Sequence, residues 1–397
     1  MIYIPSGKRR FRSGRGGILC LIKRHIFRGK IPGLSLLHQA HLFLEWHEWV
    51  LAGLALMLSL AIRVASAKLS ALSRRVDDLG AVQAMHTRRT PRLGGLAIFM
   101  ALGLSVWLAP VDISSRYAVF FGATTLLFAV GLAEDLGFHV SPRNRLLAAM
   151  AASGLCIALL GVWLPRLGIP GVDPWMGAWW LGVPITLLIT AGVANGFNLI
   201  DGVNGLAGLT AIAALLAMGQ IASAGGYDTM LHLSSMVAAC VFGFWLVNYP
   251  LGLVFLGDAG AYTLGFVISW FGIAVLLNVP VASPWAILLT VYWPVADTLL
   301  AIYRRARRRG DVSAPDRLHV HQMVMRALEI CLLGRNRRRL TNPLTTLVLC
   351  PFVCMPPVVG VMLWNQNALA FYAVLAFSVL FFCSYALAPR LIARFRR

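Results

Sequence analysis

Acidic side chains are scarce in this chain. Its 397 residues hold 15 Asp and Glu against 35 Lys and Arg, and charged residues make up only 13% of the total. A soluble globular domain carries about twice that charged fraction, and here 59% of residues are hydrophobic with a mean hydropathy of +0.75. Those values exclude a soluble fold and indicate an all-α polytopic membrane bundle. Paired cysteines are also missing. Cys20, Cys156, Cys240, Cys331, Cys350, Cys354 and Cys383 lie scattered, mostly within apolar runs, with no CxxC or zinc-ligand spacing, so they read as packing residues. The net charge of +20 comes without an aromatic-interleaved basic module, which argues against a nucleic-acid partner. No internal repeat of the kind found in two-halved transporters is visible.

Long apolar runs are abundant. They fall near 46–62, 94–110, 117–133, 146–163, 177–194, 205–223, 232–247, 258–278, 284–303, 342–364 and 368–388, each about as long as a bilayer crossing needs. Eleven crossings place residues 63–93, 134–145, 195–204, 248–257, 304–341 and the tail from 389 on one face, and that face holds 24 of the 35 Lys and Arg. The opposite connections hold only Arg116 and Arg166, so the positive-inside rule makes the first face cytoplasmic. The nine Lys and Arg among the first 30 residues resist this scheme. Residues 1–42 therefore read as a basic extension, either a disordered arm or the product of a mis-assigned start, and residues 43–397 as a single membrane domain.

In so apolar a chain each carboxylate is conspicuous, because a charged side chain within a membrane helix costs about 3 kcal/mol. Asp258 sits in Phe255-Leu-Gly-Asp-Ala-Gly-Ala-Tyr-Thr-Leu-Gly265 at the mouth of an apolar segment. Its flanking glycines, Gly257 and Gly260, would let a phosphate-bound Mg2+ approach; the competing reading is a helix cap. Glu134-Asp135 end one helix, and Pro142-Arg143-Asn144-Arg145 open the next, a juxtaposition that suits a tuned base or a metal site as well as a solvated loop. Asn195, Asn198 and Asp201 recur every third residue before Gly202, Asn204 and Gly205, which suits a polar, phosphorylated ligand better than a plain turn. Asn248 precedes Pro250 just ahead of the Asp258 segment. Asp297 reads either as an ion pair with Arg304 or as a catalytic group. Asp316, Arg317, His319 and His321 form a compact cluster whose histidines could donate to phosphate when protonated. Arg92, in Thr90-Pro-Arg-Leu-Gly-Gly95, opens a helix where an anion would be welcome, although it could be a topogenic flank only.

Taken in order, TPRLGG, the acidic pair with PRNR, NGFNLIDGVNGLAG, FLGDAGAYTLG and PDRLHVHQ resemble the polyprenyl-phosphate N-acetylhexosamine-1-phosphate transferase family over roughly residues 70–330. These membrane enzymes start lipid-linked intermediates of peptidoglycan, O-antigen, enterobacterial common antigen and teichoic acid. PDRLHVHQ looks like the branch that uses UDP-N-acetylglucosamine or a related small UDP-sugar. The resemblance implies a multi-pass protein of the bacterial inner membrane with catalytic loops facing the cytoplasm. It implies transfer of a UDP-N-acetylhexosamine's sugar 1-phosphate to undecaprenyl phosphate, with Mg2+ as cofactor, Mn2+ as its substitute, and a homodimer allowed.

By the same resemblance Glu134, Asp135, Asp258, His319 and His321 are catalytic, and Asp258 and Asp135 hold the metal. Arg92, Arg143, Arg145, Asn195, Asn198, Asp201, Asn204, Asn248, Asp316 and Arg317 would bind substrate. The chain departs from the family pattern at Glu134 and Asn204, which replace Asp, at Ala261, which replaces Ser, and at Gln322, which replaces a third His. A different class, a secondary transporter or lipid flippase using intramembrane carboxylates, would place the acids near the midplane; here they gather at one edge.

Overall fold

The computed structural model describes residues 45–68, 90–307, 319–334 and 337–395. The basic extension, residues 86–89 and the Asp316-Arg317 pair therefore lie outside the described residues. Those described are mostly helical, with no strand among them. In chain order the helices are α1 (Trp46–Lys68), α2 (Gly94–Leu108), α3 (Val111–Asp135), α4 (Pro142–Leu160), α5 (Trp179–Ile200), α6 (Leu206–Ala224) and α7 (Asp228–Asn248). They continue as α8 (Gly257–Asn278), α9 (Pro284–Thr290), α10 (Tyr292–Arg307), α11 (Val320–Leu328), α12 (Arg338–Met362) and α13 (Asn367–Phe395).

All eleven apolar runs are helices, but not all are full-length crossings. Among the described residues nine helices are long and apolar enough to span, and α9 with α10 forms one further path bent by 84°. The helix of the run at 94–110 is shorter than the run itself. It stops at Leu108 after 15 residues, because Ala109 turns extended ahead of Pro110. At about 1.5 Å per residue α2 falls short of a hydrocarbon core of about 30 Å. The stretch 304–341, read as a loop, in fact contains α11 and a five-residue π turn, Glu329–Leu333.

Helix α8 is the axis of the bundle. It is apolar on every side, buried along nearly its whole length, and packed by α5, α3, α2 and α6. Glycines make these contacts backbone to backbone. A Cβ at Gly95 of α2 would lie 2.2 Å from the Gly260 nitrogen, one at Gly131 of α3 2.6 Å from the Ala259 Cα, and one at Gly265 2.6 Å from the Ala194 Cα of α5. At its far end the Arg166 guanidinium donates to the carbonyls of Leu276, Val279 and Ala282, satisfying the open C-terminal turn. One of the two opposite-face cations is thereby spent on structure. Prolines 343, 351, 356 and 357 lie within α12 without ending it, as neighbouring helices in a bundle allow.

Candidate active site

The site is assembled at the N-terminus of α8. Leu256, which precedes that helix, has no side chain able to cap it. The cap comes from another helix: Asp135, the last residue of α3, accepts from the Asp258 N–H at 2.9 Å and the Ala259 N–H at 2.8 Å. A second brace comes from the turn before α2, where the Phe255 N–H donates to the Pro91 carbonyl at 2.9 Å. The Gly94 and Gly95 N–H groups donate to the Phe255 and Leu256 carbonyls at 2.9 and 2.8 Å. Gly257 holds φ at +77°, and a Cβ there would meet the Arg92 carbonyl. These bonds fix Arg92 beside Asp258.

Asp258 is buried and doubly paired. Arg92 Nη2 donates to its Oδ1 at 3.0 Å, and Arg145 Nη1 donates to its Oδ2. Arg92 Nε also lies 3.7 Å from Asp135 Oδ1. Arg145 reaches the site because Ser141 caps α4, with Pro142 at the first position, which sets the helix start one turn away. Asp201, just past α5, joins the same field. Burial, reinforced by the Asp258 carboxylate, pushes its carboxyl up to about 7, against the opposing pull of Arg92 and of the Gly257 N–H. Three carboxylates and two guanidinium groups thus meet at a helix N-terminus, a setting that attracts phosphate.

The remaining residues divide by what they touch. Asn195 and Asn198 converge on the Tyr262 hydroxyl, one turn beyond Asp258, and the Arg145 guanidinium lies 5.9 Å from the Tyr262 ring centre. Tyr262 is a site residue that motif reasoning passed over, although its spacing of four from Asp258 puts both on one helix face. His319 Nδ1 is 2.7 Å from Asp297 Oδ2, and the Val320 N–H donates to Asp297 Oδ1 at 3.2 Å. The partner of Asp297 is therefore His319, a correction of the pairing with Arg304. His321 packs on Gly202, where a Cβ would lie 2.2 Å from its Nε2. Burial pushes the His321 ring down to about 4, with His319 adding to the effect and Asp297 opposing it, so it acts as a neutral imidazole and not as a cation.

Several of the expected site residues also hold backbone. Asn248 accepts from the Gly205 N–H at 2.6 Å and donates to the Val254 carbonyl at 2.8 Å, which commits both ends of its amide to loop backbone. Asn204 donates to the Pro250 carbonyl at 3.0 Å, while its backbone is held by Asn342 and Thr346 of α12. Glu134 accepts from the Val140 N–H at 2.6 Å across the α3–α4 turn. Arg143 is exposed and outside the cluster. Each Asp135 oxygen accepts one backbone N–H at the start of α8, so a metal-ligand role there would compete with the cap. Asp258 and Asp201 fit it better, since Mg2+ takes one or two carboxylates and completes its shell with substrate phosphates. Among the described residues no three His, Cys, Asp or Glu side chains converge on one metal position.

Fold and site together define a polytopic helical membrane protein with a cluster of buried carboxylates and arginines at one edge of the bundle. Comparison with known sequences agrees. The family model for glycosyl transferase family 4 matches residues 117–276, the span from α3 through α8. A Bacillus subtilis protein named a probable undecaprenyl-phosphate N-acetylglucosaminyl 1-phosphate transferase is 27% identical over 277 residues, covering 70% of this chain and 77% of its own. The undecaprenyl-phosphate alpha-N-acetylglucosaminyl 1-phosphate transferases of Yersinia pestis and Escherichia coli K12 are 28% and 26% identical, over 61% of this chain and 67% of theirs. Over residues 117–276 the chain is thus similar to glycosyl transferase family 4.

Proposed function

We propose that this protein transfers an N-acetylhexosamine 1-phosphate from a UDP-sugar, UDP-N-acetylglucosamine or a close relative, to undecaprenyl phosphate. UMP is released and undecaprenyl-diphospho-sugar remains in the membrane, the first membrane step of a cell-surface polysaccharide. The observation that carries this reading is the Arg92–Asp258–Arg145 cluster on the N-terminus of α8, beside Asp201. It lies where a lipid phosphate and a water-borne diphosphate can meet. The concentration of Lys and Arg on the same face supports a site that opens to the cytoplasm from the inner membrane.

The chemistry follows from charge. An oxygen of the lipid phosphate attacks the β-phosphorus; the bond from that phosphorus to the bridging oxygen breaks, and UMP departs with the electron pair. A phosphate monoester has its second ionisation near 6, so at neutral pH it is already largely a dianion. Asp135 is therefore not needed as a base, which frees it for the helix cap. Arg92 and Arg145 can exchange their bonds to Asp258 for phosphoryl oxygens and balance the charge that develops on the leaving group. Asp258 and Asp201 would hold Mg2+, or Mn2+ in its place, which supplies Lewis-acid neutralisation of the diphosphate when bound.

The test uses purified protein, undecaprenyl phosphate and a panel of UDP-sugars, with UMP release and the mass of the lipid product as readouts. Asp258→Asn should lower turnover by about a hundredfold or more, the scale of losing a main electrostatic contact. Asp135→Asn should also lower the thermal midpoint, since it weakens a buried helix cap worth about 1 kcal/mol or more. Undiminished UMP release by Asp258→Asn, or release with no sugar in the panel, would discard the reading. A flippase would instead move lipid without consuming UDP-sugar, and nothing in the site's position at the bundle edge favours that.

A further inference from the structure

We propose that Tyr262 is a positioning residue that locks Asn195 and Asn198 into opposite hydrogen-bonding polarity, so that the pair reads an amide of fixed polarity on the nucleotide sugar. The inference rests on the transferase reading and names what the α5 edge of that site recognises. Tyr262 is 2% exposed, and its hydroxyl lies 3.3 Å from Asn195 Oδ1 and 3.4 Å from Asn198 Nδ2. The close approach of α8 to α5 at Gly265 and Ala194 brings them together.

A phenol carries one proton. It can donate to one amide oxygen and must accept from the other amide's nitrogen, so the two carboxamides cannot both present the same end. With the Tyr262 O–H donating to Asn195 and accepting from Asn198, the remaining ends are Asn195 Nδ2, a donor, and Asn198 Oδ1, an acceptor. Neither has a hydrogen bond among the described residues, and both side chains are half-buried, so they stay open to a ligand. A sugar hydroxyl can rotate to donate or accept and would gain nothing from locked polarity. A planar amide cannot: its C=O only accepts and its N–H only donates. UDP-N-acetylhexosamine offers one group with that geometry, the imide of uracil, whose ring holds a C=O and an N–H side by side; the trans acetamido group of the sugar turns its C=O and N–H to opposite sides and can meet only one of the two asparagines.

Tyr262→Phe keeps the ring beneath Arg145 and removes only the hydroxyl, releasing both amides to rotate. The experiment measures kcat and KM of purified wild type and Tyr262→Phe with UDP-N-acetylglucosamine, with UDP-glucose, which lacks the acetamido group, and with CDP-N-acetylglucosamine, whose base reverses the donor and acceptor. In the variant, KM for UDP-N-acetylglucosamine should rise about tenfold, while KM for undecaprenyl phosphate stays within about twofold. The preference over CDP-N-acetylglucosamine should shrink by a similar factor, while the preference over UDP-glucose holds. Unaltered preference over CDP-N-acetylglucosamine, in a variant that still turns over, overturns the proposal alone. A rise in both KM values together does the same, because it marks a general structural role. Absence of transfer by the wild type would overturn the transferase reading itself.

Discussion

Asp135 and Asp258 are the same residue type 123 positions apart, yet their surroundings give them different work. One has its oxygens on two backbone N–H groups; the other has them on two guanidinium groups. Asp201 is the third carboxylate, and its protonation falls within the working range. Its folded value of about 7 stands above the ordinary 3.8, so folding favours the protonated form. Its contribution to stability is present in full below about 4 and is lost as pH rises through about 7. The thermal midpoint of the substrate-free protein should therefore fall between about pH 4 and pH 7 and level off above, and Asp201→Asn should flatten that slope. Turnover should show the opposite limb, rising through about pH 7 as the carboxylate form becomes available, with the limb absent in the variant. A pH–stability curve and a pH–rate curve on both proteins check this.

Helix α8 makes the site possible because it is held by backbone contacts that no larger residue allows. At Gly95 a methyl group would fall 2.2 Å from the Gly260 nitrogen and 2.5 Å from its Cα, so α2 would have to move away from α8 and carry Arg92 with it. Gly95→Ala should cost about 1–3 kcal/mol as an overpacking change and lower UMP release further than the loss of folded protein explains. Gly122→Ala on α3, where a Cβ would meet nothing within 4 Å, should leave both unaltered. Thermal melts and activity of the two variants separate these outcomes. A glycine count could not have told them apart, because both lie in apolar helical runs.

Across the whole molecule the alternation of helix direction brings the end of α3, the start of α4, the end of α5 and the start of α8 to one edge. The connection at 161–178 lies at the other, tied to the end of α8 by Arg166. On the orientation proposed from the charge bias, the site edge faces the cytoplasm. A membrane-impermeant thiol reagent should label His139→Cys, on the exposed turn between α3 and α4, only when it has access to the cytoplasmic side. Gly171→Cys, on an exposed turn of the 161–178 connection, should be labelled from the opposite side in intact cells. The reverse pattern would invert the orientation while leaving the fold as it is.

Hydropathy by itself determined the class of the protein, the eleven apolar helical segments and the gathering of carboxylates toward one edge. Those properties follow from the cost of burying charge in hydrocarbon, a cost that composition and spacing record directly. The ordered motifs marked Asp258, Arg92 and Arg145 for the site. What they could not show was which polar groups are spent on each other. That Asp135 caps α8, that Asn248 braces a loop, that Asp297 belongs to His319 and that Tyr262 sits between two asparagines all depend on contacts between residues 22 to 123 positions apart. A carboxylate or amide looks the same in sequence whether its hydrogen bonds go to a helix end or to a substrate. Only the packing of α8 against its neighbours decides which.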